Sequence, residues 1–128
     1  MEANNTVNKF GKFLVENLRD RGINFTEGLL TNHWKVPELL NIQNELQSFS
    51  ASQKEIVLQV VIKAIDRAIH DFLFAVSEQA DFDNEIQIIV DKQNIVEQSD
   101  GLYGEAYGED GWYEKFSKYK RTNRNASA

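Results

Sequence analysis

The chain has 128 residues, 41% of them apolar, a formal net charge of −6 and no cysteine. That is the length of one domain with enough apolar content for a single core. Disulfides, thiolate metal sites and a cysteine nucleophile are excluded, and a reducing compartment is permitted.

The first residues, Met1 to Asn5, are polar and lack the basic-then-apolar order of a secretory signal, and no apolar run reaches the eighteen or so residues of a membrane span. A cytoplasmic protein without a membrane partner is therefore expected. Thr6 is placed to cap a first helix in which Val7, Phe10, Leu14 and Leu18 recur at spacings of three and four, with Phe13 widening the stripe. Gly22 supplies a left-handed stop. Ile23 and Phe25 then leave the helix, Thr26 with Glu27 opens a short helical turn through Leu29 and Leu30, and Asn32 ends it.

His33 and Trp34 fall in a loop, with Trp34 as a wedge at one end of a bundle. Pro37, the only proline, suits the first turn of a helix from Val36 or Pro37 to Phe49 that buries Leu39, Leu40, Leu46 and Phe49. Only Ser50 and Ala51 separate it from the next helix, which makes the two antiparallel neighbours.

The organising element is the helix expected from Ser52 to Gln79. With residues 100° apart, Val57, Leu58, Val61, Ile62, Ala64, Ile65, Ala68, Ile69, Phe72, Leu73, Ala75 and Val76 cover roughly half the circumference. Such an arc suits the centre of a bundle. The opposite face carries Gln59, Lys63, Asp66, Arg67, His70 and Ser77, with Ile56, Val60 and Phe74 beside them. Ser50 with Gln53 and Ser52 with Glu55 are both capping pairs, and Ser52 is the favoured one.

Beyond this helix Asp81, Asp83 and Asn84 read as a turn. Glu85–Val90 and Ile95–Glu97 read as two strands around Asp91-Lys-Gln-Asn94, a hairpin that needs the bundle beneath it, with Ile56, Val60 or Phe74 as contacts. From Asp100 to Tyr113 four glycines alternate with aromatics and carboxylates, which argues for a specific looped path. A final short helix begins at Asp110 or Gly111, with Trp112, Phe116 and Tyr119 anchoring the end.

The stretches Ile95-Val-Glu-Gln-Ser-Asp-Gly-Leu-Tyr-Gly-Glu105 and Gly108-Glu-Asp-Gly-Trp-Tyr-Glu-Lys-Phe-Ser-Lys-Tyr119 resemble the ending of small uncharacterised bacterial proteins. The resemblance covers about a quarter of the chain. It implies a bacterial source and names no activity.

Charge is unevenly distributed. Between Glu78 and Asp110 ten acidic residues stand against one base, Lys92, a net of −9 that would repel nucleic acid; from Trp112 onward five bases face Glu114 alone. Asp66 and His70, four apart, have the spacing of an ion pair or of two ligands of one metal, without a third ligand at recognisable spacing. Asp81-Phe-Asp-Asn-Glu85 opens like a calcium loop but has Ile86 where glycine is needed and Lys92 where the closing glutamate belongs. Glycine-rich phosphate loops, nucleophile elbows and zinc-protease helices are lacking.

The reading is a single α+β domain over residues 1–128, mainly helical: a bundle around residues 52–79, a small hairpin near 86–98, a short C-terminal helix and frayed ends at 1–5 and 122–128. The expected function is non-enzymatic binding of a basic protein partner, as an immunity or antitoxin-like protein or a regulator, with no cofactor. The expected contact residues are Asp100, Tyr103, Glu105, Tyr107, Glu109, Asp110 and Trp112, backed by the acidic segment. Two alternatives are carried: a small metal-dependent hydrolase using Asp66 and His70 or the carboxylates at 105, 109 and 110, and a homodimeric structural protein.

Overall fold

The computed structural model describes residues 5–119. Of the expected frayed ends, only Asn5 lies within them, and it is helical; the rest of 1–5 and all of 122–128 lie outside the described residues. The architecture is α+β and mainly helical, with one long helix and one small hairpin.

The first helix does not stop at Gly22. Helix α1 (Asn5–Leu14) passes through a π-helical turn (Val15–Arg19) directly into α2 (Asp20–Leu30), so Thr6, Ile23 and Thr26 all lie inside one continuous rod. Gly22 is a packing residue. A Cβ there would sit 2.8 Å from Ile65 Cδ1, so α2 meets the central helix at this glycine. The π turn takes in an extra residue, which rotates the turns that follow it. Buried positions run Val7, Leu14, Val15, Arg19, Ile23 and Leu30, while Leu18 is left 47% exposed. Phe13 also lies off this face and is 66% exposed. The rod ends as expected at Leu30, where Asn32 turns the chain with φ 56°.

Helix α3 (Pro37–Leu46) starts at Pro37 but stops short of Phe49, and its fully buried residue is Gln43, while Leu39 is half-buried and Leu46 packs against the core. The Gln43 amide closes both ends of one peptide residue: Trp34 N donates to Oε1 and Nε2 donates to Trp34 O, each at 2.9 Å. Leu40 and Phe49 stay exposed. Helix α3 rests on α2, so the antiparallel neighbour of the central helix is the α1–α2 rod.

That central helix is α4 (Ala51–Ala80), capped by Ser50 and not Ser52. Ser50 Oγ accepts from Gln53 N at 3.2 Å while Gln53 Oε1 accepts from Ser50 N at 2.7 Å, which satisfies two of the orphan donors of the first turn. Its buried face is one stripe, Leu58, Ile62, Asp66, Ile69, Leu73 and Val76, narrower than the expected half-circumference. Ile69 and Leu73 share a core with Val7, Leu14 and Val15, and Leu58 and Ile62 share one with Ile23 and Leu30. The rod and α4 therefore run antiparallel.

The hairpin is shorter than expected. Strands β1 (Ile89–Val90) and β2 (Gln93–Asn94) pair Ile89 with Asn94 and Val90 with Gln93. Asp91 and Lys92 both adopt positive φ, the two-residue turn that matches strand twist, so pairing begins at once and Ile95 is already past it, buried. The hairpin packs on α1, where Lys9 Nζ meets Asp91 at 3.1 Å. Ile56, Val60 and Phe74, expected beneath it, remain exposed.

The glycine-rich stretch wraps back onto this frame through a 3₁₀ turn (Leu102–Gly104) and α5 (Trp112–Phe116). Leu102, Ala106, Trp112 and Tyr113 enter the main core. The fully buried Trp112 indole is seated on Gly11, where a Cβ would lie 2.3 Å from the ring. Among the described residues, no helix is long and apolar enough to cross a membrane.

Candidate binding surface

The C-terminal end of α4 and the looped segment after the hairpin enclose a cleft of about 310 Å³. Helix periodicity puts Phe74, Ser77, Glu78 and Asp81 on its α4 wall, and Asp100 and Tyr103 close the other side. Glu78, Asp81 and Asp100 are exposed, and Phe74 and Tyr103 meet edge to face at 5.1 Å between centroids. Ser77 Oγ is buried without a hydrogen-bond partner. Carboxylates beside aromatic faces offer a cation both charge and ring quadrupole.

His70 extends the aromatic wall. Its ring lies 5.7 Å from Tyr103, 6.2 Å from Tyr107 and 6.5 Å from Phe74, parallel to the last within 4°. Its Nδ1 lies 3.1 Å from Asp71 Oδ1, and Arg67 Nε donates to the same carboxylate at 3.0 Å. Those hydrogen bonds, from His70 first and then Arg67, hold the Asp71 carboxyl below its usual value.

The seven expected contact residues divide by location. Asp100 and Tyr103 line the cleft. Tyr107 packs between His70 and Tyr113, and Glu109 and Asp110 are exposed at the turn that Gly108 makes with φ 88°. Glu105 is half-buried and accepts from Ser99 Oγ at 2.5 Å, fixing the loop that carries Asp100. Trp112 is wholly buried, so it supports the surface from below and offers no contact of its own.

Asp66 and His70 do not form the pair that their spacing suggested. Asp66, expected on the polar face, is buried and bonded by Arg19 at 2.6 Å through Nε and 3.3 Å through Nη2. Among the described residues, no group of three or more histidine, aspartate or glutamate side chains gathers in a way that could hold a metal ion.

This Arg19 network is the feature that sequence reasoning missed. Arg19 Nη1 donates to Ser117 Oγ at 2.9 Å and to Tyr119 O at 2.6 Å, and its guanidinium lies 4.2 Å from the Tyr113 ring centroid. Asp20 accepts from Ser117 Oγ at 2.5 Å and from Lys118 N at 2.9 Å. The π turn is what aims two consecutive charged residues inward. The available signal was the Arg19-Asp20 pair interrupting the apolar rod.

A larger groove of about 650 Å³ lies at the opposite end of α4, lined by Leu30, Trp34 and Leu58 with His33, Lys54 and Glu55 on its rim. Its charges are mixed, and none of the expected contact residues reaches it. No protein-family model matches the chain, and comparison with curated proteins and with solved structures finds none similar to it.

Proposed function

We propose that this is a non-enzymatic, cytoplasmic, bacterial binding protein that captures a basic protein through the acidic cleft at the C-terminal end of α4. The observation that carries this reading is the meeting of Glu78, Asp81 and Asp100 with Phe74 and Tyr103 around one opening. An arginine or lysine side chain entering there meets carboxylates at its head and rings along its stem. The surrounding acidic segment adds a field that steers basic partners inward and repels nucleic acid. Inhibition of a basic enzyme such as a nuclease, the task of an immunity or antitoxin-like protein, is the role such a surface suits.

The Asp66–His70 version of the hydrolase alternative is disfavoured, because Asp66 is bonded to Arg19. The test is affinity capture from the source cell with the intact protein and with a Glu78→Gln, Asp81→Asn, Asp100→Asn variant, at low and high salt. A basic protein retained by the former at low salt and lost with the variant is the expected result. Capture that is indifferent to both salt and substitution contradicts the reading.

A further inference from the structure

We infer that α4 pairs antiparallel with α4 of a second copy through an apolar stripe that this chain leaves largely uncovered. Taking residues 100° apart, Val57, Val60, Val61, Ala64, Ala68, Phe72 and Ala75 occupy an arc of about 120°, with Val57 and Val61 half-buried and Val57 packed against the chain's own core. The arc faces away from the Leu58–Val76 stripe that binds the rest of the chain. Val60 is 60% and Phe72 53% exposed, and Ala64, Ala68 and Ala75 are exposed between and beyond them. Leu18, which the π turn leaves exposed, stands one turn from the Gly22–Ile65 contact and so level with Ala68.

Two observations select a second copy in an antiparallel arrangement. The stripe is largely symmetric about its midpoint: a two-fold axis at residue 66 sets Ala64 opposite Ala68, Val60 opposite Phe72 and Val57 opposite Ala75, and leaves Val61 facing Asp71. Small residues then meet where the helices cross, and large side chains fill the flanks. Charge is also polarised along the helix. The N-terminal half presents Lys54 and Lys63 against Glu55, whereas the C-terminal half presents Asp71 and Glu78 against Arg67, which pairs with Asp71, and leads into Asp81 and Asp83. Antiparallel pairing lays the basic half on the acidic half, and parallel pairing would oppose like charges. Phe74 lies outside the arc and the apolar contacts do not rest on the proposed function, although Glu78 and Asp81 border both surfaces.

The test uses the full chain, whose lack of cysteine allows a single spin label at Glu55→Cys. Sedimentation equilibrium over the micromolar to millimolar range is expected to show a dimer. Ala68→Glu or Val60→Lys, both at exposed positions, should weaken it at least tenfold while the circular dichroism spectrum stays native. Glu55 stands eleven positions before the axis, so the two labels should lie about 33 Å apart along the helix in an antiparallel pair. Level with each other on the far faces of a parallel pair, they would be about 20 Å apart. A monomer throughout the range, which would leave the stripe to a different protein, overturns the inference. So does a dimer indifferent to both substitutions, or a label separation near the parallel value.

Discussion

Arg19 and Asp66 form the buried ion pair on which the α1–α2 rod, α4 and the segment Ser117–Tyr119 converge, with Nε and Oδ1 2.6 Å apart and the arginine wholly excluded from solvent. Removing one partner strands the other charge. Asp66→Leu or Arg19→Met alone should therefore cost about 3–5 kcal/mol, measured by urea denaturation. Because the two positions are coupled, the double variant should lose less than the sum of the singles. Additive losses would show that the pair does not act as a unit.

Two helix glycines each seat a tryptophan. A Cβ at Gly11 would lie 2.3 Å from the Trp112 ring, and one at Gly28 would lie 2.2 Å from Trp34 Nε1, which donates to Phe25 O at 2.9 Å. Alanine improves helix propensity on its own, but here it forces the indole away. Gly11→Ala and Gly28→Ala should each destabilise by about 1–3 kcal/mol from overpacking. Tryptophan fluorescence should shift in both. Unchanged or raised stability would mean that the rings can move aside freely.

The Asp71 carboxyl is held below its ordinary value of 3.8 by its hydrogen bonds from His70 and Arg67. A lowered carboxylate contributes stability that is complete above its unfolded value and is lost as the pH falls through its folded one. Asp71→Asn should therefore be slightly less stable than the parent at neutral pH, and the difference should shrink as the pH drops below 3.8. Exposure keeps the effect small. Urea midpoints measured across acid pH decide it, and a difference that persists in acid contradicts the assignment.

Ser50 starts α4 through a reciprocal capping box with Gln53. Ser50→Ala should cost about 1 kcal/mol, and Ser52→Ala much less, read from thermal or chemical unfolding. The opposite order would place the cap at Ser52.

How much was legible in the sequence follows from which signals are local. Periodicity located α4 to within a residue at either end, and Pro37 fixed the start of α3, because both act within one turn. Glycine was the ambiguous letter. Gly22 reads equally as a helix stop or as a gap for a neighbour, and only Ile65, far along the chain, distinguishes them. The π turn defeated the stripe analysis for a related reason, since one extra residue rotates Leu18 outward and Arg19 inward. Asp66 looked like surface because its partner lies 47 residues away. Of the candidate site, Asp100 and Tyr103 were found from composition, whereas Phe74, Glu78 and Asp81 join them only when the chain folds back over the end of α4.

We propose that the acidic cleft holds a basic side chain. The most direct test is isothermal titration of the protein with an arginine-rich peptide, with the same peptide carrying citrulline in place of arginine, and with the Glu78→Gln, Asp81→Asn, Asp100→Asn variant, while amide shifts are followed by NMR. The expected result is salt-sensitive binding of the arginine peptide alone, with shifts centred on Phe74, Ser77 and Tyr103, and loss of binding in the variant. Equal binding of the citrulline peptide, or shifts centred elsewhere, would contradict the account.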